Sequence, residues 1–147
     1  HEEREALLDE VMLVAERVAV RVVCPGEIDR TGLHRCNLRA LASSLAALSP
    51  RAEACLVDGF RLGPTAPPHR AVVDGDTKSA AIAAASIVAK VARDRLMARL
   101  AARWPGYGFE RNAGYPTPEH QAALRRLGLT PHHRRGFAPC AQLVLEV

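Results

Sequence analysis

Residues 78–103 contain neither glycine nor proline, and alanine dominates them. Nothing else in the chain restricts its fold as strongly. Such a run forms a long helix whose small side chains let it pack closely on a neighbour. It follows "RAVVDGD", residues 70–76, an apolar stretch that stops at Asp74 and Asp76 around one glycine. Acids placed where a strand ends and a helix begins have two explanations. They cap the helix, or they hold a cation against a phosphate.

The flanking sequence alternates helices and strands. Residues 2–17 lead with acids and repeat apolar side chains at helical spacing. The β-branched "VAVRVVC", 18–24, reads as a strand stopped by Pro25-Gly26. Asn37 to Leu48 reads as a helix ended by Ser49-Pro50, and "ACLVDGF", 54–60, as a buried strand ending in Asp58-Gly59. A proline-rich loop at 62–69 precedes the strand 70–76. After Pro105 comes a loop of glycines and aromatics, 105–116. Thr117-Pro118-Glu119 then starts a helix that Gly128 stops. Residues 132–139 form a basic tail, with His132-His133 as a basic patch rather than a metal pair. This is an α/β layer pattern in a chain of 147 residues, long enough for one domain with a hydrophobic core. No apolar run approaches the roughly 20 residues needed to span a bilayer. The four cysteines show no CxxC spacing, so zinc and disulfides are not expected and the thiols read as those of a cytoplasmic protein.

Charge separates the halves. Residues 1–76 carry 9 Lys/Arg and 12 Asp/Glu, whereas residues 77–147 carry 11 and 4. A basic half suits a polyanion. Five of the six aromatic residues (Trp104, Tyr107, Phe109, Tyr115, Phe137) lie in that half among arginines. Rings stack on bases or sugars and arginines take phosphates. Equally, Trp104, Phe109 and Phe137 close a small subdomain, which leaves Tyr115 in its "GYPT" turn as the surface candidate.

Asp58 and Asp76 each end a predicted strand, so adjacent strands would bring them to one rim. Close carboxylates repel, and Mg²⁺ or Mn²⁺ relieves that repulsion while accepting phosphate oxygens. From spacing alone, an Asp-Gly turn and a helix cap explain the same acids more simply. Ser79, Ser86, Lys90 and Arg93 fall on one helical face, either a solvated stripe or a route to a phosphate.

Taken together, "LVDGF", "DGDTKSAAIAAASIVAKVARDRLM", "WPGYGFERNAGYPTPEH" and "HHRRGFAP" resemble ribonuclease HII, the prokaryotic type-2 ribonuclease H, in the family's own order. The resemblance runs over nearly the whole chain and is densest from residue 55 onward. It implies an RNase H-like α/β fold, a central mixed sheet flanked by helices, with a helical C-terminal segment. Residues 1–147 would be one partial catalytic domain, and 105–147 its substrate-contacting part. It also implies an endonuclease using two divalent ions, Mn²⁺ or Mg²⁺. Such an enzyme cuts the RNA strand of RNA/DNA hybrids and cuts 5′ of single ribonucleotides embedded in duplex DNA.

Carried over residue by residue, the family's third and fourth metal-binding acids match Asp58 and Asp76. Tyr115 matches the tyrosine that stacks on the sugar at the RNA–DNA junction. Ser86 and Lys90 fall on the block facing the substrate backbone, and Asn37 fits the family's asparagine-containing helix start. The family's aspartate–glutamate pair and glycine–arginine–glycine loop have no match here. The expectation is therefore a chain that begins after the family's first strands, a monomer when intact, with two of four carboxylates absent. Asp74 and Ala113 stand where the family usually has lysine, and Gly136 where serine is common. The alternative is a non-catalytic nucleic-acid-binding remnant.

Overall fold

The computed structural model describes residues 2–49 and 52–145, side chains at 2, 144 and 145 excepted. Eight helices and two strands follow one another among them. They are α1 (Glu2–Val14), α2 (Pro25–Thr31), α3 (Leu33–Leu48), β1 (Leu56–Asp58), β2 (Arg70–Val72), α4 (Gly75–Lys78), α5 (Ala80–Arg103), α6 (Phe109–Asn112), α7 (Pro118–Leu127) and α8 (Ala138–Leu145). They sort into two compact units. The first comprises the described parts of 1–22 and 34–92, the second those of 23–33 and 93–147.

In the first unit β1 and β2 pair in parallel, Leu56 opposite Arg70, Val57 opposite Ala71 and Asp58 opposite Val72. Only Val57 of β1 is buried, as the two-residue period of a strand requires when one face meets a core. That core is Leu45, Val57 and Leu62, with Leu38, Leu41 and Ala42 of α3 packed on it. Both strands are shorter than the sequence suggests. Gly59 (φ +70°) and Asp74 (φ +51°) enter the left-handed region, which ends extended backbone. The connection between the strands is held by His69, whose Nε2 accepts from the Leu62 N–H (2.9 Å) while Nδ1 lies 2.8 Å from the Pro67 carbonyl. Both bonds are made when the proton sits on Nδ1.

Segment 18–24 is not a strand. It has no ladder partner among the described residues, and Val18, Val20 and Val22 are exposed. β propensity alone does not make a strand, because the neighbour's hydrogen bonds do. Pro25-Gly26, expected only to stop that strand, instead starts α2, since proline fits the first helical turn. The long alanine helix begins at Ala80 rather than 78. Ser79 is extended (φ −142°, ψ 122°) and closes α4, while its carbonyl accepts from Ala83 and opens α5. Pro50, expected to end α3, lies outside the described residues.

The second unit is built on Tyr107, Phe109, Ala123, Leu124 and Cys140, with Met97, Leu100 and Trp104 against them. Cys140 belongs to α8, which starts at Ala138, within the end of the expected basic tail, and is part of the helical C-terminal segment. Asp29 of α2 accepts from the backbone N–H groups of Arg135 (2.7 Å) and Gly136 (3.0 Å), tying α2 to the turn before α8. His133 is not part of a surface patch. It is buried, and its ring stacks on that of His120 with centroids 5.3 Å apart. Its Nδ1 accepts from the Thr130 N–H (3.0 Å), which leaves the proton on Nε2. Burial, and then the neighbouring His120, push its pKa down to about 4. Phe109 and Trp104 close the core as expected, whereas Phe137 lies at the surface under the Arg134 guanidinium.

Candidate functional site

Asp58 is the last residue of β1, and residues 73–76 leave the same end of β2. Parallel pairing therefore delivers both acids to the carboxyl rim of the sheet, where ligands of α/β folds collect. Asp58 is fixed there. Its Oδ1 accepts from the Gly75 N–H at 2.9 Å, one residue before Asp76. Gly75 is required for this approach. A Cβ on it would stand 2.6 Å from Ile82 Cδ1 and 3.0 Å from Asp58 Oδ1. Asp58 and Asp76 are both exposed. Asp58 Oδ2 and the whole Asp76 carboxylate make no hydrogen bond among the described residues. Asp74 faces Lys78 at 3.9 Å in an exposed pair. Carboxylate oxygens are the donor type that Mg²⁺ or Mn²⁺ takes, but among the described residues no group of three or more His, Cys, Asp or Glu side chains that could hold a metal ion comes together.

Ile82, packed under Gly75, anchors α5 to this rim. Ser86 and Lys90 follow it at one and two helical turns, about 6 and 12 Å along the axis. Ser86 is half-buried and Lys90 is exposed. Asn37 lies in α3 one turn after His34, whose ring meets Phe60 edge-on at 5.4 Å, two residues beyond Asp58. Asn37 is itself exposed. The Gly75 bond thus places Asp58 beside the backbone that leads into Asp76 in α4, while Ser86 and Lys90 lie one and two turns along α5 from Ile82.

Tyr115 belongs to the second unit and is 58% exposed. Its turn is tightly determined. Buried Asn112 donates from Nδ2 to the Tyr107 carbonyl (2.8 Å) and accepts at Oδ1 from the Gly114 N–H (2.8 Å). The Tyr115 N–H donates to the Asn112 carbonyl (2.8 Å), and the Thr117 N–H to that of Tyr115 (2.8 Å). Thr117 then caps α7, its Oγ1 accepting from the His120 N–H (3.2 Å). Arg93 of α5 lies over the Tyr115 ring, 4.6 Å from its centroid. It donates to Tyr115 Oη (3.2 Å) and to the Ala113 carbonyl (2.7 Å). A recess of about 520 Å³ opens beside this turn, lined in part by Met97, Tyr115, Pro116, His120 and Phe137.

The sequence pattern did not single out Asn112 or pair Arg93 with Tyr115. The available signal for Asn112 was its place in "NAG", a short polar residue before two backbone positions of positive φ.

The family model described as Ribonuclease HII matches residues 2–140. Ribonuclease HII of Geobacillus thermodenitrificans is 48% identical over 136 residues, 92% of this chain and 52% of that protein. That of Rhodospirillum rubrum is 58% identical over 113 residues, covering 77% of this chain and 52% of that protein. The chain thus spans about half the length of these curated relatives. The crystal structure of the ribonuclease H2 from Pyrococcus horikoshii superposes with a TM-score of 0.82 at 22% identity, over 99% of this chain and 76% of that one. No helix among the described residues is long and apolar enough to cross a membrane. The fold is RNase H-like, and the chain belongs to the ribonuclease HII family.

Proposed function

We propose that this chain is part of a cytoplasmic, divalent-metal-dependent endonuclease acting on RNA/DNA hybrids and on duplex DNA containing single ribonucleotides. It cuts 5′ of the ribonucleotide and leaves a 3′-hydroxyl and a 5′-phosphate. The reading is supported above all by the shared rim, where the Asp58 carboxylate is bonded to the residue before Asp76. Two divalent ions, Mn²⁺ or Mg²⁺, supply when bound the Lewis acidity that activates water and offsets charge on the leaving oxygen. Asp58, with one oxygen steadied by the Gly75 N–H, and Asp76 would hold them. Ser86 and Lys90 orient the phosphate backbone of the substrate strand, a hydroxyl donor and a cation one turn apart. Asn37 contributes an amide to the same strand. Tyr115 stacks on the sugar at the RNA–DNA junction. No side-chain nucleophile is needed.

A second reading is favoured by one observation. Of the four carboxylates that the family resemblance assigns to the ions, only Asp58 and Asp76 have matches here. This chain by itself would then bind such duplexes without cutting them. Incubation with Mn²⁺ and a duplex carrying one ribonucleotide separates the two readings. Cleavage that Asp58→Asn abolishes supports the nuclease, and salt-dependent binding without cleavage supports the binding remnant. No binding to either duplex contradicts both.

A further inference from the structure

Tyr115 is an exposed ring on a turn, so its orientation must come from something besides burial. The backbone bonds of the turn fix its Cα but not its side chain, which retains two rotatable angles. Arg93 supplies three constraints from one side chain. Its guanidinium covers one face of the ring, Nη1 donates to the phenol oxygen, and Nη2 donates to the Ala113 carbonyl. The last contact falls where support is needed. Ala113 has φ +47°, a left-handed conformation that costs a non-glycine residue free energy. The base of the clamp is helical: Arg93 projects from α5, whose residues 93–103 belong to the same unit as Tyr115.

We propose that Arg93 is a positioning residue that presents the free face of Tyr115 to substrate, an inference that rests on the stacking role proposed for Tyr115 above. With one face of the ring taken by a cation, a sugar can stack only on the other. The Arg93 bond occupies one acceptor site of the phenol oxygen and leaves its own O–H free to donate. Lysine cannot replace this, because an ammonium has no planar fork to lie on the ring while donating to two separate oxygens.

The test uses this chain labelled with ¹³C-tyrosine. It has two tyrosines, and buried Tyr107 serves as the internal reference. Arg93→Met should shift the Tyr115 ring signals and lower their order while leaving those of Tyr107 in place. The second readout is the affinity for a duplex with one ribonucleotide relative to the same all-DNA duplex. Arg93→Met should lower that preference about fivefold or more, and Arg93→Lys should restore less than half of the loss. The double variant Arg93→Met/Tyr115→Ala should match Tyr115→Ala alone. Losses that multiply in the double variant overturn the proposal. So does an unchanged preference in Arg93→Met when Tyr115→Ala reduces it. If Tyr115→Ala has no effect on preference, the stacking role fails and this proposal with it. If the chain binds neither duplex, the function proposed above fails and the ring signals decide whether Arg93 orders Tyr115.

Discussion

The rim acids of the first unit stand almost without partners, whereas Tyr115 of the second unit is held from several sides. Asp58 has one backbone N–H and Asp76 has no bond from its side chain among the described residues. The turn that carries Tyr115 is bonded by Asn112, capped by Thr117 and clamped by Arg93. The difference fits the roles proposed for each. A carboxylate that binds a cation needs free oxygens, and every protein donor it satisfies is one less for the ion. A ring that reads shape needs a fixed plane, and each internal bond makes that plane more definite. The rim leaves carboxylate oxygens open where the Tyr115 turn uses its polar groups.

The comparison breaks first at Asn112. Removing its side chain strands the Gly114 N–H and takes one of two donors from the Tyr107 carbonyl. Asn112→Ala should therefore cost about 2–3 kcal/mol in urea unfolding and disorder the Tyr115 turn. A loss below about 0.5 kcal/mol would mean that the turn is held by its backbone alone. Next is Gly75→Ala, which drives a methyl into Ile82 and the Asp58 carboxylate. It should cost about 1–3 kcal/mol and displace Asp58, so weakened Mn²⁺ binding should accompany lowered stability. Unchanged Mn²⁺ affinity in a folded variant would show that the rim tolerates a shifted carboxylate.

These two predictions mark where sequence reading stops. Asp58-Gly59 was legible as a strand end because apolar runs, acids and glycines are local signals, whereas Asp76, read as the end of strand 70–76, lies in the first turn of α4, four residues past the end of β2. The N-cap of α7 was legible for the same reason, being written within four residues. Segment 18–24 was misread because strand formation depends on a partner elsewhere in the chain. The Pro25-Gly26 helix was missed because a stop and a first-turn proline look alike. His133 looked like a surface cation, since burial against His120 and Phe109 depends on contacts distant in sequence. The Arg93–Tyr115 clamp joins residues 22 apart across two elements and a turn, beyond any periodicity.

The buried His133 gives a pH prediction. Its folded pKa, about 4, lies below the ordinary 6.5, so the unfolded chain takes up the proton first. The stability contributed by the neutral ring is complete above about pH 6.5 and is lost progressively as pH falls toward 4. Unfolding followed by the Trp104 signal should weaken over that window, and His133→Gln should flatten the slope. The smallest effect belongs to Asp74. Asp74→Gly relieves a left-handed aspartate and forfeits an exposed ion pair. Stability should rise by less than about 1 kcal/mol, with no change in the Tyr115 signals.

The central claim is that Asp58 and Asp76 share divalent cations at one rim, and Mn²⁺ titration followed by electron paramagnetic resonance tests it most directly. Asp58→Asn keeps an oxygen for the Gly75 N–H, and Asp76 has no bond to lose, so both Asn variants should stay folded. Each should weaken Mn²⁺ binding at least about tenfold, with the double variant no better than either. Wild-type affinity in both single variants would contradict the account.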